Sequence, residues 1–311
     1  MRIFVTGASG WIGSALVPEL IGAGHTVVGL TRSAEAAARL TEAGADVHHG
    51  SLDDLNGLRK AAASADGVVH LAFKHDIAFS GDYPGAVAAD HRAIEALGDG
   101  LAGSDRPLVI ASGILGLGDG RVLTERDGTA EAPAGAPVAE EANARLANAH
   151  LTRSLAARGV RSSVVRLSPT VHGAGDYGFV PALIGIARDK GVSGYVGDGA
   201  NRWPAVHRLD AARLFRLAVE SAPAGSTLHG VADEGVPART IAEAIGRGLG
   251  VPVVAVPRDE AAGHFGWLAG VFASDIPTSS ALTRELLGWE PTQIGFVDDL
   301  AQGHYFNAPD A

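Results

Sequence analysis

The chain has 311 residues, of which 46% are hydrophobic and 19% are charged, so a disordered chain is excluded and a large buried core is predicted. Acidic residues outnumber basic ones by 35 to 25, and the net charge of -10 disfavours a general role in nucleic-acid binding. Cysteine is absent, which excludes disulfides, thiolate catalysis and cysteine-ligated metal.

Short apolar runs alternate with helix-period segments through the first half of the chain. This pattern predicts strands at Arg2–Thr6, Thr26–Leu30, Asp46–His49, Gly67–Ala72, Leu108–Ser112 and Val160–Leu167. It predicts helices at Gly13–Ala23, Ala34–Ala43, Gly85–Ala102 and Ala139–Arg158. Strands separated by helices imply right-handed crossovers, so we predict an α/β protein with a Rossmann-like, doubly wound parallel sheet.

The regular alternation decays after residue 173. Residues 174–203 and 230–311 are predicted to form a smaller C-terminal substrate lobe. Residues 1–173 and 204–229 are predicted to form the dinucleotide-binding domain. In its second part, Val206–Leu209 is expected to be a strand and Ala211–Glu220 a helix, both returning to the main sheet.

A glycine-rich turn, TGASGWIG at residues 6–13, follows the first strand and opens the first helix. Gly7 permits a tight turn, Gly10 lets a diphosphate approach the backbone, and Gly13 lets the helix pack closely on the strand. The helix N-terminus then offers free N–H groups and a partial positive charge to phosphate. The expected cofactor contacts in this turn are Gly7, Ser9, Gly10, Trp11, Ile12 and Gly13.

The spacing of these glycines resembles the short-chain dehydrogenase/reductase superfamily in its extended, epimerase-like branch. Four further segments match that branch in order: DGVVHLA at 66–72, RLSPTVHG at 166–173, WPAVHRLD at 203–210 and LGWEP at 287–291. The resemblance implies a nicotinamide dinucleotide cofactor. It also implies cofactor contacts from Leu71, Ala72, Phe73, Lys74, Leu167, Ser168, Pro169 and Val171.

The end of the second strand predicts NADP(H) rather than NAD(H). An NAD-selective site presents a carboxylate there for the ribose hydroxyls, whereas this chain has Thr31, Arg32 and Ser33. The planar guanidinium of Arg32 suits a 2′-phosphate, and two hydroxyls flank it. The alternative is that Arg32 is solvated or stacks on adenine without selecting a cofactor. In the loop after the third strand the family's GDxxD becomes GSLDD, so adenine is expected to contact Ser51 and the backbone of Leu52.

The catalytic pair Tyr-x-x-x-Lys, which most of this superfamily uses, is absent. The chain has only three lysines, and none of them follows a tyrosine by four positions. The resemblance places the tyrosine position at Glu140 and the lysine position four residues later, each within one residue. The expected substitutes are therefore Glu140 or Glu141, followed by Ala144 or Arg145.

Other polar residues are candidates for proton donation. Ser112 lies where the family's catalytic serine or threonine lies, although a strand-end serine bonding to backbone is an equal alternative. Asn143 lies on the helix of the missing pair. His172 replaces the tyrosine of the family's VYG, and its alternative is a structural histidine. No metal site is expected, because the pair His48 and His49 has no third ligand placed with it.

The substrate pocket is expected at the carboxyl ends of the strands and on the second lobe. His75 and Asp76 follow the fourth strand, where solvated side chains are the alternative. Aromatic residues are expected to form an apolar wall, although some of them belong to an ordinary core. The expected wall residues are Phe179, Trp203, Phe265 and Trp267.

These features favour an NADPH-dependent reductase of an apolar carbonyl or imine compound. Reduction of a bound iminium ion needs no acid, and a carboxylate such as Glu140, Glu141 or Asp76 would stabilise its positive charge. The sequence therefore predicts that imines are reduced in preference to ketones. A nucleotide-sugar epimerase or dehydratase is the second candidate, disfavoured by the missing tyrosine. A non-catalytic NADP-binding sensor is the third, because such proteins also lack the pair.

The expected partner is a small-molecule substrate, with no role for nucleic acid or membranes. The N-terminal residues are a strand and a glycine turn rather than a targeting segment, so we expect a cytoplasmic protein. The resemblance also implies a homodimer formed through the predicted helices Gly85–Ala102 and Ala139–Arg158.

Overall fold

The computed structural model describes residues 1–118, 120–129 and 142–307, and only the backbone of residues 79 and 142–144. The apolar runs of the first half form strands because both of their faces are covered. In the first strand, Ile3, Phe4 and Val5 are all buried. Near-continuous burial of this kind is typical of a parallel sheet with helices on both sides.

The strands in chain order are β1 Arg2–Thr6, β2 Thr26–Thr31, β3 Asp46–His49, β4 Gly67–His70, β5 Pro107–Gly113, β6 Arg161–Leu167, β7 Thr170–His172, β8 Ser193–Val196, β9 Arg202–His207, β10 Ser226–Gly230, β11 Asp233–Pro237 and β12 Val253–Val256. The helices are α1 Gly13–Gly22, α2 Ala34–Glu42, α3 Leu55–Ala63, α4 His75–Phe79, α5 Tyr83–Leu101, α6 Ala142–Ser154, α7 Phe179–Lys190, α8 Arg208–Ser221, α9 Ala238–Leu249, α10 Ala261–Phe265, α11 Leu268–Phe272, α12 Ala281–Leu287 and α13 Phe296–Ala301. A 3-10 turn, Leu155–Arg158, follows α6.

The main sheet has seven parallel strands in the order β10-β6-β5-β4-β1-β2-β3. One face packs on α1 and α8, through buried side chains that include Leu16 and Phe215. The other face packs on α3, α5 and α6, through side chains that include Leu58 and Leu97. This doubly wound arrangement confirms the predicted Rossmann-like α/β fold.

The second lobe has a core of its own. A three-stranded sheet, β11-β9-β7, and a two-stranded parallel sheet, β12-β8, pack with α7 and α9. Their buried side chains include Leu183, Trp203, Ile241 and Phe272. Within the described ranges, no helix is long and apolar enough to cross a membrane.

One predicted strand lies in a different sheet from the one expected. The strand expected at Val206–Leu209 is β9, which pairs with β7 and β11 rather than with the main sheet. The physical reason is that its side chains alternate between the two cores, with Ala205 in the second-lobe core and Val206 in the main core. The strand that extends the main sheet is β10, and α8 packs on that sheet as expected.

Candidate active site

Two glycines of the turn between β1 and α1 are required by close packing. Gly7 has a φ angle of +68°, and a Cβ atom there would lie 2.8 Å from the backbone nitrogen of Ala72. A Cβ atom on Gly13 would lie 2.1 Å from the carbonyl oxygen of Gly7. The first glycine therefore makes the sharp turn against the chain after β4, and the last lets α1 sit directly on it.

The N-terminus of α1 is open above Gly10. A Cβ atom on Gly10 would meet only the Gly7 carbonyl oxygen, at 3.2 Å. Ile12, which precedes the helix, makes no side-chain hydrogen bond that caps it. Uncapped N–H groups and the positive end of the helix dipole form an anion site, and this open surface fits the diphosphate of a dinucleotide.

Trp11 joins this turn to the segment after β7. Its indole Nε1 donates to the carbonyl oxygen of Val171 at 2.8 Å. Its backbone N–H donates to the hydroxyl of Tyr177 at 3.2 Å. The guanidinium carbon of Arg208 lies 4.4 Å from the centroid of the indole ring. The expected contact Trp11 therefore brings two residues to the turn that sequence reasoning did not single out.

At the end of β2, the guanidinium of Arg32 projects into solvent, whereas the hydroxyls of Thr31 and Ser33 have partners close by in the chain. Thr31 is buried, and its Oγ1 lies 3.4 Å from the backbone nitrogen of Ser33. The Ser33 hydroxyl accepts from the N–H of Ala36 at 3.2 Å and so caps α2. Both hydroxyls therefore have local structural partners. The Arg32 side chain is 71% exposed, with its nearest carboxylate, Asp76, 4.0 Å away.

The neighbouring loop after β3 is tied to the loop after β4. Lys74 Nζ lies 2.7 Å from a carboxylate oxygen of Asp53, so its charge is already paired. The Ser51 hydroxyl accepts from the N–H of Asp53 at 3.2 Å. The Leu52 side chain is buried in the core beneath α3. Backbone atoms of this loop, rather than the side chain of Leu52, are thus left to meet an adenine.

A buried polar network lies directly under the turn. The Thr6 hydroxyl lies 2.7 Å from His70 Nδ1, and His70 Nε2 lies 3.0 Å from a carboxylate oxygen of Asp90. Asn148 donates its amide to the other oxygen of Asp90 at 2.7 Å. Burial alone would raise the pKa of Asp90, but the His70 hydrogen bond and charge, the Arg145 charge and the Asn148 hydrogen bond together lower it. Asp90 is therefore a buried anion fully enclosed by donors.

A serine near the carboxyl end of β5 follows a strand residue that an arginine of α6 contacts. Ser112 is buried, and its hydroxyl has no hydrogen-bond partner among the described residues. One residue earlier on β5, the carbonyl oxygen of Ala111 accepts a hydrogen bond from Arg145 Nη2 at 3.3 Å. The guanidinium carbon of Arg145 also lies 4.4 Å from the centroid of Phe73. Arg145 is one of the two residues expected at the lysine position.

The other expected substitutes cannot be placed. Glu140 and Glu141 lie outside the described residues, and Asn143 is described only by its backbone in α6. Two aromatic rings instead surround Phe73. The centroid of His75 lies 5.1 Å from it, and that of Tyr83, at the start of α5, lies 6.1 Å from it. Partial burial first, and the charge of Arg145 second, lower the pKa of His75.

The segment after β6 is held by internal hydrogen bonds. Leu167 and Pro169 are half-buried, and the Ser168 hydroxyl donates to the Gly230 carbonyl oxygen at 2.9 Å. Val171 is half-buried and holds Trp11. His172 does not line a pocket: it is 0% exposed, and its Nδ1 lies 2.8 Å from a carboxylate oxygen of Asp299. The placement matches the structural-histidine alternative.

The aromatic residues of the second lobe divide between core and surface. Trp203 is 1% exposed and Phe265 is buried, so both are core residues and do not form a pocket wall. Phe179 is half-buried, with ring centroids 6.0 Å from Trp203 and 5.8 Å from Trp267. Trp267 is 63% exposed. Asp76, expected in the pocket, lies instead beside Arg32, just after the end of β2.

The seven-stranded doubly wound sheet and the open glycine turn define the class: a Rossmann protein of the short-chain dehydrogenase/reductase type. The chain belongs to the NAD dependent epimerase/dehydratase family, whose model matches residues 3–229. Membership makes it an NAD(P)-linked oxidoreductase or epimerase/dehydratase by family, as the glycine spacing implied.

Similar proteins support this assignment. An uncharacterized protein of Schizosaccharomyces pombe is 48% identical over 98% of this chain and 100% of its own length. A protein of Stenotrophomonas maltophilia described as a 2-alkyl-3-oxoalkanoate reductase is 30% identical over 82% of this chain and 77% of its own. The fold resembles a dTDP-glucose 4,6-dehydratase from Streptomyces venezuelae solved with NAD, with a TM-score of 0.75 and 22% identity over 98% of this chain and 96% of that one.

Proposed function

We propose that the protein is an NADP(H)-dependent reductase that reduces an apolar small molecule at a carbonyl or imine group. The observation that carries the proposal is the open, uncapped glycine turn combined with an exposed Arg32 and no carboxylate at the end of β2. The turn would hold the diphosphate, and Arg32 would hold a 2′-phosphate.

Arg32 is free enough to change partners. Its distance of 4.0 Å from Asp76 is at the limit of an ion pair, and both side chains are exposed. Exposed pairs of this kind contribute little energy, so a doubly charged 2′-phosphate would displace Asp76 readily. The lack of a carboxylate at residues 31–33 also removes the acceptor that NAD-selective sites use.

The bound nicotinamide would supply hydride, and the chain would have to stabilise charge on the acceptor. The unpartnered hydroxyl of Ser112 would donate to a carbonyl oxygen as negative charge develops there. Arg145, beside it on the Ala111 carbonyl, would stabilise the same charge. A cation in this position would repel an iminium ion. The geometry therefore favours carbonyls over the imines that the carboxylates had suggested.

The related reductase supports the same choice. The Stenotrophomonas maltophilia protein is described as reducing a 2-alkyl-3-oxoalkanoate, which carries a ketone and an alkyl chain. The exposed Trp267 and half-buried Phe179 would offer an apolar surface to such a chain.

Experiments can distinguish two other functions from the proposed one. A nucleotide-sugar epimerase or dehydratase would need a base to start oxidation, and no Tyr-x-x-x-Lys is present. Calorimetry with UDP-sugars detects this function. A non-catalytic NADP sensor would bind the cofactor but consume none in a turnover screen. We also propose a homodimer through α5 and α6, which light scattering tests.

The cofactor preference is tested by replacing Arg32 with alanine. We expect wild-type protein to bind NADPH more tightly than NADH, and Arg32→Ala to weaken NADPH binding about tenfold while leaving NADH binding unchanged. Fluorescence titration measures both affinities. Arg39→Ala is a matched control, because Arg39 is exposed on α2 and pairs with Glu35. Unchanged NADPH affinity in Arg32→Ala would contradict the assigned role.

A further inference from the structure

Arg208 is a cation without a partner beside the glycine turn. It is the first residue of α8 and is half-buried. Its guanidinium makes no hydrogen bond or ion pair with any residue in the part of the chain that the structure describes. By contrast, Arg216 on the same helix pairs with Glu19 at 2.7 Å and with Glu220 at 2.8 Å. An arginine held in place yet left unpaired suggests a ligand that is anionic.

The position of Arg208 is set by its neighbours on two sides. Its guanidinium carbon lies 4.4 Å from the ring centroid of Trp11, which is a favourable cation–π distance. Its aliphatic stem packs against Gly173, where a Cβ atom would lie 3.4 Å from Arg208 Cγ. The indole is itself held by Val171. The contact with the indole holds the guanidinium beside the turn, and its N–H donors stay available for bidentate contact with phosphate.

The backbone N–H of the same tryptophan already donates a hydrogen bond to an oxygen atom. The N–H of Trp11 follows Gly10 directly and donates to the Tyr177 hydroxyl at 3.2 Å. Tyr177 is 72% exposed, so displacing it from this N–H would cost little buried surface. The Tyr177 hydroxyl therefore marks a position where a phosphate oxygen could accept from the Trp11 N–H. The ring of the same residue contacts Arg208.

We propose that Arg208 binds the diphosphate of the dinucleotide, opposite the N-terminus of α1. The inference rests on the proposed cofactor binding and adds a cation to it. A phosphate oxygen takes the place of the Tyr177 hydroxyl on the Trp11 N–H, and the stacked guanidinium donates to the same diphosphate. The site then combines helix N–H groups on one side with a charge-assisted contact on the other.

The test compares a ligand with a diphosphate and one without. NADPH and adenosine 2′-monophosphate are titrated calorimetrically into the full-length wild type, Arg208→Gln and Arg213→Gln. Arg213 lies on the same helix, and its guanidinium hydrogen-bonds, within the described residues, to the Glu290 carbonyl oxygen alone, so it is a matched control. We expect Arg208→Gln to weaken NADPH binding about tenfold and to leave 2′-AMP binding within about twofold of wild type. Arg208→Lys should recover part of the loss, because it keeps the charge without the planar donors.

Two results would overturn the proposal. One is an Arg208→Gln protein with wild-type NADPH affinity. The other is an equal loss for both ligands at an unchanged melting temperature, which would place Arg208 at the adenosine end. A wild type that binds neither NADPH nor NADH would contradict the proposed function and this inference together. A wild type that binds NADPH while Arg208→Gln binds it equally well contradicts only the role of Arg208.

Discussion

At the scale of single residues, the three glycines of the turn do different work. Gly7 and Gly13 are constrained by atoms of the protein itself, at 2.8 Å and 2.1 Å from a built Cβ atom. Gly10 faces open space except for one carbonyl oxygen at 3.2 Å. The fold therefore needs the first and the last glycine, whereas Gly10 leaves open the space in which we propose that the diphosphate binds.

This difference predicts opposite behaviour of two variants. Gly10→Val should abolish NADPH binding with little loss of melting temperature, because its side chain enters the diphosphate space. Gly13→Ala should destabilise the fold by roughly 2 kcal/mol or more, because its Cβ atom meets backbone. Thermal melts and NADPH titration separate the two. Full NADPH affinity in a folded Gly10→Val protein would refute the assigned turn.

The packing roles of Gly7 and Gly13 could be predicted from the sequence because a local pattern decides them, whereas a role that depends on a remote partner could not. The turn glycines follow from spacing alone. The role of His172 depends on Asp299, which lies 127 residues away along the chain. Arg208 carried no sequence signal, because its relation to Trp11 exists only after β9 and β1 are brought together.

At the scale of elements, Asp90 joins four pieces of the main domain. It accepts from His70 on β4 and from Asn148 on α6, it lies on α5, and His70 in turn holds Thr6 on β1. Its lowered pKa shows that these donors outweigh the cost of burying the charge. The network therefore fixes the relative positions of the elements under the cofactor turn.

Asp90→Ala should leave two buried donors without an acceptor. We expect a loss of about 3 kcal/mol in the free energy of unfolding, as for breaking a buried polar pair. Urea denaturation measures it. Asp90→Asn is the comparison, since it keeps one acceptor and should lose less. A loss below about 1 kcal/mol in Asp90→Ala would show that water replaces the carboxylate.

Element boundaries were predictable in the main domain because each strand is an apolar run between helix-period segments. The assignment of β9 to the main sheet was wrong because a strand that lies between two cores has the same apolar sequence pattern as a buried strand of the main sheet. Trp203 and Ala205 face one core and Val206 the other, and no local pattern tells which sheet pairs with them.

At the scale of the whole molecule, a buried histidine links stability to pH. His229 on β10 is buried, its Nδ1 lies 2.9 Å from the Ser279 carbonyl oxygen, and its register partner on β6 is Arg166. Burial lowers the pKa of His229, outweighing the Ser279 hydrogen bond and the charge of Glu125. The unfolded chain has a histidine pKa of about 6.5, so it binds this proton more readily than the folded protein.

Stability from His229 is therefore present above about pH 6.5 and is lost as the pH falls below it, by up to about 1.4 kcal/mol per pH unit. We expect His229→Gln to flatten this decline in the free energy of unfolding between pH 7 and pH 5. Denaturation of both proteins across that range measures the effect. Parallel pH curves for wild type and variant would show that other groups cause any acid sensitivity.

The proposed reaction is hydride transfer without the tyrosine and lysine pair. The most direct measurement uses NADPH deuterated at nicotinamide C4 with an apolar ketone and its isosteric cyclic imine, and reads the products by mass spectrometry. We predict deuterium on the former carbonyl carbon, faster turnover of the ketone, and a loss of roughly a hundredfold in Ser112→Ala or Arg145→Gln. Tight NADPH binding with no reduced product from either substrate would contradict hydride transfer and favour a sensor.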